Sequence, residues 1–476
     1  MNPSPCPACL NLDYSLFKTA KELDIENGKT LWPDYNLLAR YRVADFSAIR
    51  NAASQGCRCC DILIRGCKLF WGHWLEKRPP KYKVGNKLGL QLNPGQCLQA
   101  FLAGGTGSGL DMFATKLQIE FFTEMNQEPI HPAFQHVHHV PRSLPGIAAA
   151  QALQSWLRQC VNTHPNCKAS VVQLPARILD ISTNTPRLVE FQPYESPCAK
   201  YATLSHCWGD PQAKRWTWRG YRQVKGPTQT TKQTLQSRKI GIPLRELTPL
   251  FKDAIQLCKH VGCGYIWIDS MCIIQDDESD WKVESQKMAA IYSNAYFNIA
   301  ATSCPDGSYR LFRKRWSLGE KGSSTRRFLK SYKLKALPVG SGVVCVRQAH
   351  SRDHKYVGRH MQNGRQEQAP LMSRAWVFQE LLLSPRTIHF SSSELIWECN
   401  SLLTCECESF NLDGINRIEY KQQFTGARGS GRSTQEIYDF WLHTCERYSN
   451  LDLTIPSDRP TALAGLADAV RSVTSS

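Results

Sequence analysis

The feature that most constrains this chain is the run YIWID at 265–269, which is apolar until its last residue. Runs that are apolar throughout, rather than alternating, are typical of strands buried on both faces, as in a parallel sheet. The runs at 201–205 and 296–302 have the same character, and helix-like segments separate the three. This order predicts an α/β fold with a mostly parallel sheet and flanking helices, in which 201–205 and 265–269 are central neighbours.

The segments between and after these runs carry signals of their own. Thr248 followed by Pro249 is typical of a helix start, because the hydroxyl can cap the first turn and proline is favoured at its first position. The segment from Arg374 predicts another helix, and the stretches 387–390 and 394–397 predict a hairpin.

Three regions are expected along the 476 residues: a Cys-rich α+β region at 1–175, the α/β region at 176–400 and a mainly helical tail at 401–476. A basic insertion at 305–370 holds 15 Lys and Arg against 4 Asp and Glu, and supplies most of the net charge of +17. Such a block can contact nucleic acid or anionic lipid. Charge runs are more often solvated, so we expect an irregular or mobile excursion outside the core.

The composition excludes some classes of protein. No stretch reaches the ~18 uncharged apolar residues that a membrane helix needs, and the first residues lack the basic start and apolar run of a secretory signal. The chain is therefore expected to be cytoplasmic, with no membrane partner. Its 20 cysteines are then not expected to form a disulfide framework, which leaves metal ligands, buried small side chains and reactive thiols.

Two cysteine pairs, Cys6 with Cys9 and Cys57 with Cys60, have the two-residue gap that lets both sulfurs reach one ion. Together they predict a structural zinc site with four thiolate ligands. The 47 residues between the pairs are a long separation for such a site. The alternative is four free thiols on packed helices.

A second set of candidate ligands follows the predicted helix around 147–160. Cys160, His164 and Cys167 fall at i, i+4 and i+7, so they can share one helix face. Such a face is either a second metal site or simply part of the core.

Ser205 ends the run at 201–205 and is followed directly by His206 and Cys207. These three residue types are the ones used in nucleophilic catalytic sites. Neighbouring side chains on a strand point to opposite faces, so His206 is not expected to activate either neighbour. Trp208 and Gly209 are instead expected to let the chain turn tightly past the end of the strand.

Asp269 closes the run at 265–269. Ligands of open α/β sheets bind at the carboxyl ends of the strands, where a carboxylate can hold a ribose hydroxyl or a cation. The alternative is a helix cap or loop anchor.

Three blocks of the sequence together resemble the fungal heterokaryon-incompatibility (HET) domain family. They are YATLSHCWG at 201–209, GYIWIDSMCIIQDDESDWKVESQKMAAIYSNAYFNIAATS at 264–303 and SRAWVFQELLLSPRTIHF at 373–390. Several uncommon residues coincide, including the Trp-Gly after the first strand, the Trp-Ile-Asp and the Arg-x-Trp before Gln-Glu. Proteins of this style usually continue well beyond the tail, so a chain ending at Ser476 is expected to be a short or truncated member.

The resemblance implies a role in recognition of genetically different hyphae, followed by programmed death of the fused cell. It implies a protein partner encoded by an incompatibility locus, and a possible homo-oligomer. The family's core is also thought to be distantly similar to Toll/interleukin-1 receptor (TIR) domains, some of which cleave NAD with a glutamate placed as Trp-x3-Glu. Trp376 and Glu380 have that spacing.

By this analogy Glu380 and Asp269 are the expected catalytic residues and NAD(P) the possible substrate. The alternative for Glu380 is a structural ion pair with Arg374 or Arg386. The expected ligand-binding residues are Ser205, Trp208, Gly209, Arg374 and Trp376.

Two mechanisms stay open at this point: NAD(P) glycohydrolysis, and a non-enzymatic signalling module that acts through protein–protein assembly. A nucleic-acid-binding regulator is the weakest alternative. The basic insertion lacks the regular aromatic and glycine pattern of single-strand binders, and it lacks a zinc-finger spacing.

Overall fold

The computed structural model describes residues 4–27, 39–76, 87–94, 96–106, 109–111, 118–167, 171–192, 195–209, 214–217, 220–223, 226–315, 331–335, 342–349, 369–408, 421–422, 424 and 433–474. The chain forms two compact units. The first comprises Met1–Val140, Trp316–Ser351 and Cys407–Leu412, and the second comprises Pro141–Arg315, Arg352–Glu406 and Asp413–Ser476. These units do not coincide with the ranges 1–175, 176–400 and 401–476, which stay a prediction about domain organisation.

The strands, in chain order, are β1 (Lys18–Thr19), β2 (Arg40–Asp45), β3 (Lys87–Leu92), β4 (Leu98–Thr106), β5 (Gly109–Asp111), β6 (Gln118–Glu124), β7 (His136–Val137), β8 (Val172–Gln173), β9 (Arg177–Asp180), β10 (Arg187–Glu190), β11 (Cys198–Ala199), β12 (Ala202–Ser205), β13 (Lys214–Thr217), β14 (Gly220–Gln223), β15 (Tyr265–Trp267), β16 (Phe297–Ala300), β17 (Ser331–Lys335), β18 (Val343–Gln348), β19 (Arg386–Phe390), β20 (Leu395–Cys399) and β21 (Leu403–Cys405).

The α-helices, in chain order, are α1 (Ala20–Asn27), α2 (Phe46–Ser54), α3 (Arg58–Glu76), α4 (Gly146–Thr163), α5 (Leu235–Ile240), α6 (Pro249–His260), α7 (Asp269–Cys272), α8 (Glu278–Asn294), α9 (Ala375–Leu383), α10 (Thr434–Ser449) and α11 (Arg459–Thr474).

The first unit is built on an antiparallel sheet in the order β1-β2-β3-β4-β6-β18-β17, with β5 beside β4 and β7 beside β6. Ile49 of α2 and Leu63 of α3 belong to the same buried cluster as Phe121 of β6. The helix α3 approaches the sheet closely at Gly66, where a Cβ atom would lie 2.4 Å from the ring carbon Cε1 of Phe121. A side chain at this position would have to displace a buried ring, so the close approach requires glycine.

The structure corrects the expectation for the basic insertion. Its strand β18 pairs with β6, and Val344 and Val346 are fully buried. Residues 305–315 are packed as well, since the buried carboxylate of Asp253 accepts hydrogen bonds from the backbone N–H of Leu311 and Phe312. An irregular excursion outside the core is therefore wrong for these parts. The net charge of a long segment does not report on a short apolar run inside it. Residues 316–330, 336–341 and 350–368 lie outside the described residues.

The second unit is built on a sheet in the order β10-β9-β15-β12-β16-β19-β20-β21. Its four central strands are parallel, and β12 pairs with β15 and β16 as its neighbours. The expected α/β fold and the pairing of the runs 201–205 and 265–269 are thus confirmed. A mostly parallel sheet is not found, because antiparallel strands flank the parallel centre on both sides. The expected hairpin, which is β19 and β20, supplies one of these edges.

Helices connect the parallel strands. The chain passes from β12 to β15 through α6, from β15 to β16 through α8, and from β16 to β19 through α9. The expected cap of α6 is present, with Oγ1 of Thr248 accepting from the backbone N–H of Phe251 at 3.4 Å. Since β12 lies between β15 and β16, the loops that leave these strands diverge at one edge, which we call the carboxyl edge. Such a divergence opens a crevice for ligands in α/β sheets.

The last two helices follow the short strand β21 and agree with the expected helical tail. The helix α10 begins with a capping box, in which Ser433 and Glu436 satisfy each other's backbone N–H groups. The helix α11 packs beside α9, where the side-chain oxygen of Gln379 accepts from the backbone N–H of Gly465 at 3.1 Å. These contacts cover one side of α9 and leave its Glu380 directed elsewhere.

Candidate functional site

Glu380 lies in α9, a helix whose residues are almost all buried. Its side chain is removed from solvent, with 5% of the residue exposed, and its Oε2 atom has no hydrogen-bond partner among the described residues. A buried carboxylate without full hydrogen bonding is costly, and it favours the protonated form. Glu380 is therefore an energetically unfavourable choice for a merely structural position.

The end of β12 lies close to this carboxyl group. Oγ1 of Thr203 donates to Oδ1 of Asn298 at 3.0 Å, and Nδ2 of Asn298 donates to Oγ of Ser205 at 3.0 Å. The phenol of Tyr292 donates to the carbonyl of Leu204 at 3.4 Å. These buried polar groups fix the hydroxyls of Ser205 and Tyr292 beside Glu380.

The electrostatics of the group follow from this placement. Burial raises the pKa of Glu380 from its ordinary 4.5 to about 7; the negative charge of Asp269 adds to the rise, while the hydroxyls of Ser205 and Tyr292 and the charge of Arg374 oppose it. Burial also raises the pKa of Tyr292 well above its ordinary value, with Glu380 contributing. The carboxyl group therefore changes its charge near neutral pH, which suits a residue that must hold or release a proton.

Asp269 begins α7 at the carboxyl edge and is partly accessible, with 23% of its side chain exposed. Its Oδ2 accepts from Nε1 of Trp208 at 2.8 Å, and its Oδ1 accepts from the backbone N–H of Ser270 at 2.6 Å. The alternative of a loop anchor therefore has direct support. The same bonds also hold the indole of Trp208, which is half-buried, in a fixed position at the edge.

His206 and Cys207 do not form a nucleophilic pair with Ser205. Nδ1 of His206 lies 3.6 Å from Oδ1 of Asp269, beyond hydrogen-bonding distance, and its ring packs edge-on to Phe251 at 5.1 Å between centroids. Burial lowers the pKa of His206, so its ring is neutral at pH 7. Burial raises the pKa of the Cys207 thiol to about 12, which leaves it protonated.

The remaining expected site residues divide into two groups. Gly209 has a φ of 82°, which is the left-handed conformation that the expected tight turn requires. Arg374 precedes α9 and acts electrostatically on Glu380 and His206. The ring of Trp376, by contrast, packs edge-on to Trp281 of α8 at 6.4 Å between centroids, and its side chain hydrogen-bonds to Asp458.

Two residues of this site escaped the sequence reasoning. Asn298 is the one polar residue within the apolar strand β16, FNIA. A single polar side chain in an apolar strand is a signal that the sequence itself contains. Tyr292 lies on the buried face of α8 next to Ile291 and has no distinguishing pattern in the sequence. Its role at the site depends on the packing of α8 against β12.

The four expected zinc ligands of the first unit come together. One ligand atom from each of Cys6, Cys9, Cys57 and Cys60 lies within 4.8 Å of the others. The sulfurs of Cys6 and Cys60 are 3.8 Å apart, and those of Cys9 and Cys57 are 3.6 Å apart. Tetrahedral zinc with bonds of ~2.3 Å separates sulfurs by about 3.8 Å, so this arrangement fits the ion.

A second group forms in the other unit. Cys160, His164 and Cys167 are joined there by Cys399, and one ligand atom from each of the four lies within 4.8 Å of the others. The spacing in the sequence predicts Cys160, His164 and Cys167 as ligands, but it does not predict Cys399. Cys399 lies at the end of β20, and no spacing rule relates it to a segment more than two hundred residues earlier.

Residues 201–380 match the family model described as Heterokaryon incompatibility protein (HET). No curated protein and no solved structure matches the chain. The expected likeness of the core to TIR domains therefore stays a prediction. No helix among the described residues is both long enough and apolar enough to span a membrane.

Proposed function

We propose that this protein acts in heterokaryon incompatibility as an effector of cell death, and that it does so by hydrolysing NAD(P) at the carboxyl edge of the second unit. The match of residues 201–380 to the HET family supports the biological role. The chemistry is our inference from the residues at that edge. The family match begins with β12 and ends at Glu380, so it contains every residue of the proposed site.

The observation that carries the proposal is the buried carboxyl group of Glu380 beneath the end of β12. Its pKa of about 7 and its proximity to Ser205, Tyr292 and Asp269 give a carboxylate that can accept a hydrogen bond from a ribose hydroxyl. Breaking the bond between C1′ of the ribose and the nicotinamide nitrogen develops positive charge on the sugar. A carboxylate in a water-poor site stabilises that charge strongly.

The remaining steps need only water. Nicotinamide leaves with the bonding electron pair, a water molecule attacks C1′ and loses one proton, and the products are nicotinamide and ADP-ribose. Trp208, held by Asp269 at 2.8 Å, is the aromatic side chain best placed to stack on a ring of the substrate. Asp269 orients Trp208 and supplies negative charge beside the developing cation.

The test is incubation of the purified full-length chain with NAD and with NADP, followed by chromatographic detection of nicotinamide and ADP-ribose. We expect Glu380→Gln to abolish hydrolysis, since glutamine keeps the size of the side chain and removes its charge. We expect Glu195→Gln, at an exposed position of the same unit, to leave it unchanged. Hydrolysis that survives Glu380→Gln would exclude this mechanism.

A non-enzymatic signalling module is the second candidate. Asp269 is already bonded to Trp208 and Ser270, and Glu380 is almost fully covered, so a substrate would need part of the edge to open. In this alternative the protein acts by assembling with itself or with a protein encoded by an incompatibility locus. Expression in a fungus separates the two: if Glu380→Gln kills as well as wild type, assembly and not hydrolysis causes death.

We also propose a structural role for zinc in the first unit. Cys9 belongs to the buried core, and thiol hydrogen bonds, chiefly from Cys59 and Cys60, lower its pKa to about 2. A metal bound by the Cys6, Cys9, Cys57 and Cys60 sulfurs would join the N-terminal turns to the start of α3, since Cys57 directly precedes this helix and Cys60 lies in its first turn. Zinc of this kind contributes directly to folding.

A further inference from the structure

We propose that Cys160, His164, Cys167 and Cys399 form a second zinc site, which fastens the segment after α4 to the end of β20. All four residues lie in the second unit, and all four lie outside the region that matches the HET family. The site is independent of the proposed hydrolytic edge and of the N-terminal cysteines.

The distances suit a tetrahedral ion. Sγ of Cys399 lies 3.3 Å from Nδ1 of His164, and one ligand atom from each of the four residues lies within 4.8 Å of the others. Zinc bonds of ~2.3 Å to sulfur and ~2.0 Å to nitrogen separate such a pair by about 3.5 Å. The Cys399–His164 separation is therefore within a few tenths of an ångström of the value that zinc requires. Three thiols cannot all pair as disulfides, and a histidine nitrogen among them is typical of a metal centre.

Local backbone structure brings three of the ligands together. Cys160 lies in the last turn of α4, and the backbone N–H of His164 donates to its carbonyl at 3.1 Å. His164 then leaves the helix with an extended backbone, and the N–H of Cys167 donates to the carbonyl of His164 at 3.0 Å. The chain thus folds around the three side chains before β20 supplies the fourth.

Neighbouring polar groups support this arrangement from outside. The buried guanidinium of Arg386 donates to the carbonyl of Cys167, and Nδ2 of Asn400 donates to the carbonyl of Asn166 at 3.0 Å. The hydroxyl of Ser401 lies 3.7 Å from Sγ of Cys167. Three thiolates around Zn²⁺ leave one net negative charge, which the arginine offsets. Such outer contacts commonly orient metal ligands.

The donor set selects the class of metal. Three sulfurs and one imidazole favour zinc over magnesium or calcium, which prefer oxygen ligands. The three cysteines of the cluster are buried and His164 is half-buried. The rings of Trp156 and Trp397, which lie one turn before Cys160 and two residues before Cys399, stack at 6.0 Å between centroids. A closed site with four protein ligands is structural and leaves no position for a substrate.

The test measures zinc per chain by elemental analysis of the full-length protein purified under reducing conditions. We expect His164→Ala and Cys399→Ala each to lose one equivalent relative to wild type, and His164→Cys to retain it with four sulfur ligands. His260→Ala, an exposed histidine at the end of α6, and Cys198→Ser, an exposed cysteine, are the matched controls and should keep the wild-type content.

A second measurement protects the test against misfolding of the variants. Cobalt added to the metal-free wild-type chain should give the intense sulfur-to-metal absorption of a tetrahedral site, and His164→Cys should strengthen that absorption. Cys9→Ala is expected to remove the zinc ion of the first unit and to leave the one proposed here. The double variant Cys9→Ala with Cys399→Ala should therefore contain no zinc. Unchanged zinc content in both His164→Ala and Cys399→Ala would overturn the proposal, as would a Cys9→Ala variant that contains none.

Discussion

Replacing Glu380 with glutamine is expected to change how the stability of the second unit depends on pH. The folded protein holds the proton of Glu380 more tightly than the unfolded chain does, because burial raises the pKa of this group to about 7 from its ordinary 4.5. The contribution of Glu380 to the stability of wild type is therefore complete below pH 4.5. This contribution decreases as the pH rises toward 7 and is constant above it.

The size of the effect follows from the shift. A difference of one pKa unit corresponds to ~1.4 kcal/mol, so the rise from 4.5 to about 7 corresponds to about 3 kcal/mol of unfolding free energy. Glutamine cannot ionise and has no such penalty. The stability of Glu380→Gln relative to wild type should thus increase by about 2 kcal/mol between pH 5 and pH 8, with most of the change below pH 7.

The assay is urea unfolding at several pH values, followed by circular dichroism, with the free energy obtained by linear extrapolation. Glu195→Gln serves as the control for the chemical change, since Glu195 is an exposed carboxylate of the same unit. If the difference in unfolding free energy between Glu380→Gln and wild type did not vary with pH, Glu380 would not be buried and ionisable. Its proposed role would then lose its physical basis.

Three further predictions concern the first unit. Cys9→Ala should remove one zinc equivalent and lower the melting temperature, and a strong chelator added to wild type should lower the melting temperature as well; equal zinc content in Cys9→Ala and wild type would contradict a metal role. Gly66→Ala should destabilise the unit by ~1–3 kcal/mol in urea unfolding, because the added Cβ would lie 2.4 Å from a ring carbon of Phe121; a stabilised variant would show that α3 packs less closely. Arg347→Met should cost ~3–5 kcal/mol, because it leaves Glu120, 2.9 Å away, as a buried charge without its partner; a change near zero would contradict this pairing.

The central strands could be predicted from the sequence and the edges of the sheet could not. The runs at 201–205 and 265–269 are mainly apolar and do not alternate, which is typical of strands buried on both faces in a layered fold, and the two strands do pair. The antiparallel pairing of β9 with β15 joins distant segments, and no local pattern specifies it. The hairpin of β19 and β20 follows from its own sequence, but a hairpin alone does not specify that it forms the antiparallel edge of this sheet.

Some residues of the candidate site could likewise be predicted from the sequence, and others could not. Glu380 stands out because it follows Trp376 at a recognisable spacing, and the cysteine pairs stand out by their two-residue gaps. Tyr292 and Cys399 acquire their places only when α8 packs against β12 and when β20 comes beside the segment after α4. Contacts of this kind depend on tertiary structure, so a single sequence does not reveal them.

The position of β18 in the chain has a consequence for biosynthesis. Its partner β6 leaves the ribosome more than two hundred residues earlier, and β12, β15 and β16 emerge in the interval. Throughout that time the growing polypeptide carries an incomplete sheet, in which residues 119–122 of β6, with the buried Phe121 and Phe122, lack the pairing that β18 provides. Unpaired strand edges are templates for pairing with other chains. The nascent protein is thus expected to be most prone to aggregation before residue 348 has been translated.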